Sequence, residues 1–116
     1  MDQHYMWNID WDRMTVAQKA INSWANKTFP NRVPEASLVK LVMEEIPELL
    51  AHRKKEGAEG IEGELADCFI LLFDLAEIWG VNVGKAVFEK MLTNLQRTWT
   101  HDPATGFYNH VKEAGE

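Results

Sequence analysis

Glu64-Leu65-Ala66-Asp67-Cys68-Phe69-Ile70-Leu71-Leu72-Phe73 is the stretch from which the fold is read. Its apolar residues fit a helix over about 62–79: Leu65, Phe69, Leu72 and Phe73 cover one side, and Ile70, Leu71, Leu75 and Ile78 another. A helix apolar nearly all round needs partners on several sides. In so short a chain, part of that cover is expected from a second subunit. Glu64 and Asp67 stand at i and i+3, so both carboxylates project from one side of the helix. At about 100° per residue, Glu64 falls among Cys68, Leu71 and Leu75.

A second acidic pattern precedes this helix: Glu44-Glu45-Ile46-Pro47-Glu48. Glu45 falls among Leu38, Leu41, Val42 and Leu49, with Glu48 at the edge of that apolar stripe. Carboxylates on core faces are costly unless paired or bound to a cation. No Lys, Arg or His is read on these faces within a turn, and Lys40 is placed pointing away. Glu45, Glu48, Glu64 and Asp67 are therefore read as ligands of a divalent metal. The alternative is a solvated acidic surface. Oxygen ligands alone favour Mg2+, with Mn2+ as a substitute. No His follows a Glu by three residues, as di-iron bundles require, and one Cys with scattered His does not make a zinc site.

Helical periodicity extends over four segments and strand signals are poor, which predicts an all-α, four-helix-bundle-like single domain over 1–116. The helical core is expected over about 15–99. The first helix, 15–28, opens on a capping-box pattern at Thr15-Val16-Ala17-Gln18. The second runs from Pro34 or Glu35 to about Lys55, with a kink at Pro47. Gly57, Gly60 and Gly63 mark a loop. Gly80 closes the third helix, and the fourth covers about 83–99. Asp102–Gly106 reads as a turn and about 107–116 as a tail. Trp7, Trp11 and Trp24 are read as packing residues, with stacking on a base as the alternative.

The 116 residues carry a net charge of −6, which argues against a nucleic-acid polymer as partner. A lone cysteine, Cys68, excludes an internal disulfide and suits a reducing cytoplasm. The longest unbroken apolar run, Cys68 to Phe73, is too short to span a membrane. On the fourth helix Lys90, Asn94 and Arg97 fall within about 60° of one another. A cation, an amide and a guanidinium in one column suit phosphate and sugar recognition, although the same column fits an ordinary exposed polar face.

Glu44-Glu45-x-x-Glu48 followed by Glu64-x-x-Asp67 resembles the signature of MazG-like, all-α nucleoside triphosphate pyrophosphohydrolases. With Lys90, Asn94, Arg97 and Trp99, the pattern is most similar to the branch described as dATP/dGTP diphosphohydrolases. The resemblance covers roughly residues 15–110. It implies hydrolysis of a nucleoside triphosphate to monophosphate and pyrophosphate. It also implies Mg2+ on Glu45, Glu48, Glu64 and Asp67, and a homodimer or homotetramer. Pro47 departs from the family's usual residues at that position. Glu44 is a candidate to orient or deprotonate the attacking water, or else a supporting or solvated residue. Two other readings remain open: a non-enzymatic acidic helical interaction module, and a Mg-dependent phosphohydrolase releasing orthophosphate.

Overall fold

The structure is a computed structural model that describes residues 3–53 and 57–112, with side chains for 4–52 and 61–112. In chain order its elements are α1 (Gln3–Trp7), α2 (Asp12–Thr28), α3 (Pro34–Lys40), a π-helical turn (Leu41–Glu45), α4 (Ile46–Arg53), α5 (Gly57–Ile78), α6 (Val83–Gln96), β1 (Trp99–His101) and β2 (Tyr108–His110). The all-α expectation holds, with one small antiparallel hairpin added in which Trp99 pairs with His110 and His101 with Tyr108. No helix among the described residues is long and apolar enough to cross a membrane.

The backbone groups into two compact units, Trp11–Lys85 and Met1–Asp10 with Ala86–Glu116, the division falling inside α6. In the larger unit α5 is the central helix, packed against α2, α3, the π turn and α4. This is the burial that its nearly all-round apolar sequence calls for. Leu75 and Ala76 are buried on α5, with Ala25 of α2 and Leu41 of the π turn also in the core. Cover remains incomplete, because Leu65, Phe69, Ile70 and Leu72 stay exposed.

Several local expectations are corrected. The first helix begins at Asp12, three residues early, so Thr15 lies within it and makes no cap. Thr15 instead donates to Asn82 Oδ1 (3.0 Å), while Gln18 donates to the Val81 carbonyl (2.6 Å) and accepts from the Val83 N–H (3.0 Å). A buried polar side chain must find partners, and Gln18 finds them across the chain, satisfying the start of α6. Gly57, Gly60 and Gly63 lie inside α5, not in a loop. Glycine costs a helix roughly 1 kcal/mol, and the strongly apolar remainder of α5 outweighs it. Lys55, the expected end of the second helix, lies outside the described residues.

A π turn stands just before Pro47, where a kink is expected. The Ile46 N–H reaches the Leu41 carbonyl, five residues back. Pro47 follows at once; it has no N–H to give and crowds the carbonyl four residues before it. A wider turn relieves that crowding, and such bulges commonly carry functional residues. In the smaller unit α6 stops at Gln96, so Trp99 is a strand residue and not the end of a helix. The expected turn is present: the Gly106 N–H donates to the Asp102 carbonyl (2.7 Å), and Gly106 has φ +79°. The segment read as a tail contains β2.

Candidate metal centre and adjoining cavity

Glu45, Glu48 and Glu64 each place a carboxylate oxygen within 4.8 Å of the others. Glu45 comes from the π turn, Glu48 from the first turn of α4 and Glu64 from α5. Their exposure is graded: Glu45 is buried at 8% exposure, Glu64 is half-buried and Glu48 is exposed. Asp67, one turn after Glu64, is exposed and lies outside this close group. Three of the four residues singled out from sequence are thus brought together.

The donor set suits a hard divalent ion. It offers carboxylate oxygen only, which Mg2+ and Mn2+ prefer. Glu64 Oε2 is buried and meets no hydrogen-bond partner among the described residues. An unsatisfied buried carboxylate oxygen is expensive, and coordination to a cation would remove that cost.

Two basic groups stand nearer than the sequence suggested. Lys40 Nζ lies 2.8 Å from Glu44 Oε2 and 3.5 Å from Glu45 Oε1. The Glu44 hydrogen bond and charge, then those of Glu45, raise the lysine's pKa. Its placement away from the acids is therefore wrong. The Glu44 contact is the ordinary i,i+4 one, whereas a projection drawn at a constant 100° misses the Glu45 contact because the π turn has widened the helix. His52 Nε2 lies 3.8 Å from Glu64 Oε1. This pair joins two helices, so spacing along one of them does not reveal it. Glu44 itself is exposed.

Burial pushes the Cys68 pKa up, and the charges of Glu45, Asp67 and Glu64 push it further. The thiol stays protonated and packs as an apolar group.

A cavity of about 390 Å³ adjoins the acids and includes Glu45 and Asp67 in its wall. Trp24, Phe29, Ile70 and Leu71 supply its apolar surface, and Ser37, Lys40, Arg32 and Asp74 its polar one. This size and mixture suit a small organic ligand. Trp24, taken as a packing residue, is half exposed and meets Phe29 edge to face at 5.4 Å.

Arg32 and Asp74 were not identified in the sequence. Asp74 is 4% exposed. Arg32 grips it with Nε to Oδ2 (2.7 Å) and Nη2 to Oδ1 (2.9 Å), and Asn22 Nδ2 donates to Oδ1 (3.0 Å). Arg32 also donates to Asn26 Oδ1 (2.6 Å) and the Phe29 carbonyl (3.2 Å). The fork fixes the segment between α2 and α3 to α5, and so sets one wall of the cavity. The sole available signal was an acid, Asp74, on an apolar helix.

In the smaller unit, Lys90 is exposed, while Arg97 Nη1 donates to Asn94 Oδ1 (3.4 Å). The Trp99 indole donates to the Asn94 carbonyl (3.2 Å). Asn94 and Arg97 form a local polar group; Arg97 lies just past the end of α6.

No protein-family model matches the chain. A dATP/dGTP diphosphohydrolase of Salmonella phage PMBT28 is 36% identical over 99 residues, 84% of this chain, which spans only 31% of that longer protein. A dATP/dGTP diphosphohydrolase of Cyanophage S-2L is 37% identical over 82 residues, covering 71% of this chain and 73% of the relative. The solved MazG-like pyrophosphohydrolase of Cyanophage S-2L, bound to dGDP and three catalytic Mn2+ ions per active site, superposes with a TM-score of 0.68 at 32% identity. That match covers 85% of this chain and 97% of the solved one.

Proposed function

Since this chain belongs to the MazG-like all-α family of dATP/dGTP diphosphohydrolases, we propose that it hydrolyses a purine deoxynucleoside triphosphate to the monophosphate and pyrophosphate. The observation that carries this reading is the convergence of Glu45, Glu48 and Glu64 beside a cavity of nucleoside size. Asp67 completes the ligand set in the reading, reaching it from the cavity wall. A divalent ion there, Mg2+ or Mn2+, supplies charge neutralisation on phosphate oxygens and an activated water.

The chain's own residues have distinct tasks in this scheme. Glu45, Glu48, Glu64 and Asp67 hold the cation. Glu44, next in sequence to a ligand, orients the attacking water and accepts its proton. Trp24 and Phe29 offer flat apolar surface to the base, and the cavity shields it from water. Lys90 and Arg97 neutralise phosphate charge, and Asn94 binds phosphate or sugar.

The deciding experiment is a panel of canonical nucleotides incubated with the purified chain and Mg2+ or Mn2+. Monophosphate and pyrophosphate are expected in equal amounts from dATP and dGTP, with loss of both products in EDTA. Release of orthophosphate instead would defeat the proposed reaction. The exposed Leu65, Phe69 and Leu72 on α5 support assembly into a homodimer or homotetramer. Light scattering should then give two or four times the chain mass of 13.3 kDa. A single-chain mass at micromolar concentration would remove that part of the reading.

A further inference from the structure

The acidic group already holds a cation supplied by the chain. Lys40 ends α3, and Glu44 and Glu45 lie in the π turn four and five residues on. In a regular helix a lysine reaches the carboxylate at i+4 and leaves the one at i+5 about a quarter-turn further round. Here the ammonium meets both, at 2.8 Å and 3.5 Å. The wider π turn gives a physical reason.

The partners differ in freedom. The Glu45 side chain is 10% exposed, whereas that of Lys40 is 52% exposed. A buried carboxylate is fixed by its surroundings, while a half-exposed ammonium on a flexible stem can leave. The Lys40 side chain also lines the cavity, alongside Arg32 and Asp67. A divalent ion bound by Glu45, Glu48 and Glu64 would compete with the ammonium for Glu45.

We propose that Lys40 is a resident counter-cation whose contact with Glu45 the divalent ion displaces, and that the ammonium, still beside Glu44, then binds the phosphate chain of the nucleotide in the cavity it lines. The inference rests on the metal-centre reading given above. It gives one side chain two successive roles: it pairs with the Glu44 and Glu45 carboxylates before loading, and it gives up Glu45 for phosphate oxygens after it. The exchange keeps a positive charge beside Glu45 at each stage. A carboxylate without its metal is costly, and so is a triphosphate without cations.

The test is Mn2+ binding to the metal-free protein without nucleotide, followed by the electron paramagnetic resonance signal of free Mn2+. Wild type is compared with Lys40→Met, Lys40→Gln and Lys40→Arg, with helicity checked by circular dichroism. Removing the competing charge should tighten Mn2+ binding about fivefold in Lys40→Met and Lys40→Gln. Lys40→Arg should stay near wild type. At saturating Mn2+, a non-hydrolysable dGTP analogue should bind the two neutral variants about tenfold more weakly, with Arg restoring most of the loss. Unchanged or weaker Mn2+ binding in the neutral variants overturns displacement. Unchanged analogue binding overturns the phosphate contact. If wild type and the variants all fail to bind Mn2+, the metal-centre reading falls, and this one with it.

Discussion

Replacing Glu45 by Gln should cut pyrophosphate release from dGTP by on the order of 10³-fold, equivalent to about 4 kcal/mol of transition-state stabilisation. The fold should be retained. The reason lies in where Glu45 stands: it is buried, its oxygen is within 4.8 Å of those of Glu48 and Glu64, and it forms part of the cavity wall. Gln matches Glu in size but offers a neutral ligand, so cation affinity falls without a hole being opened. In EDTA the variant should melt close to wild type, because relief of three crowded negative charges offsets the weakened contact with the half-exposed Lys40. Activity within tenfold of wild type would remove Glu45 from the ligand set. A collapse of the melting temperature would make its role structural. Asp67→Asn is the informative companion. Asp67 stands outside the close trio, so an equally large loss would mean that it joins the ligands when the site is loaded.

The second large effect is expected on stability. Arg32→Met should cost about 3–5 kcal/mol in urea unfolding, since it strands a carboxylate that is taken out of water. Asp74 is 4% exposed, and its two bonds to Arg32 are the shortest it makes. Asn22 alone cannot replace them. The double variant Arg32→Met with Asp74→Leu should recover most of the loss, because no unpaired charge remains inside. Additive losses in that cycle would show that the pair is not coupled. The single change should also disturb the cavity, for Arg32 fixes the segment that follows α2 and bears Phe29. Reduced nucleotide affinity is therefore expected even where the protein remains folded.

How far the sequence could be read depended on the range of each interaction. The pairing of Glu45 with Glu48 is a matter of helical spacing, and spacing is local. So is the apolar character of α5, which calls for partners on several sides. That the helix is irregular near Pro47 was legible too, because a missing N–H is a property of one residue. The form of that irregularity was not. The π turn widens the helix just before Pro47, and it changed which side chains share a face, bringing Lys40 to Glu45 as well as to Glu44. The β1–β2 hairpin escaped notice because three-residue strands show no alternation long enough to register.

Local chemistry determined an all-α chain and named the acids, because helical period and the avoidance of buried charge act within a few residues of each other. The tertiary structure alone decided that Glu64 of α5 meets Glu45 and Glu48, that Asp67 stands aside, and that Asp74 is held by an arginine 42 positions earlier in the chain. It also formed the cavity between α2, α3 and α5. Such contacts depend on how whole helices lie against one another, which hydrophobic burial fixes and residue spacing does not encode.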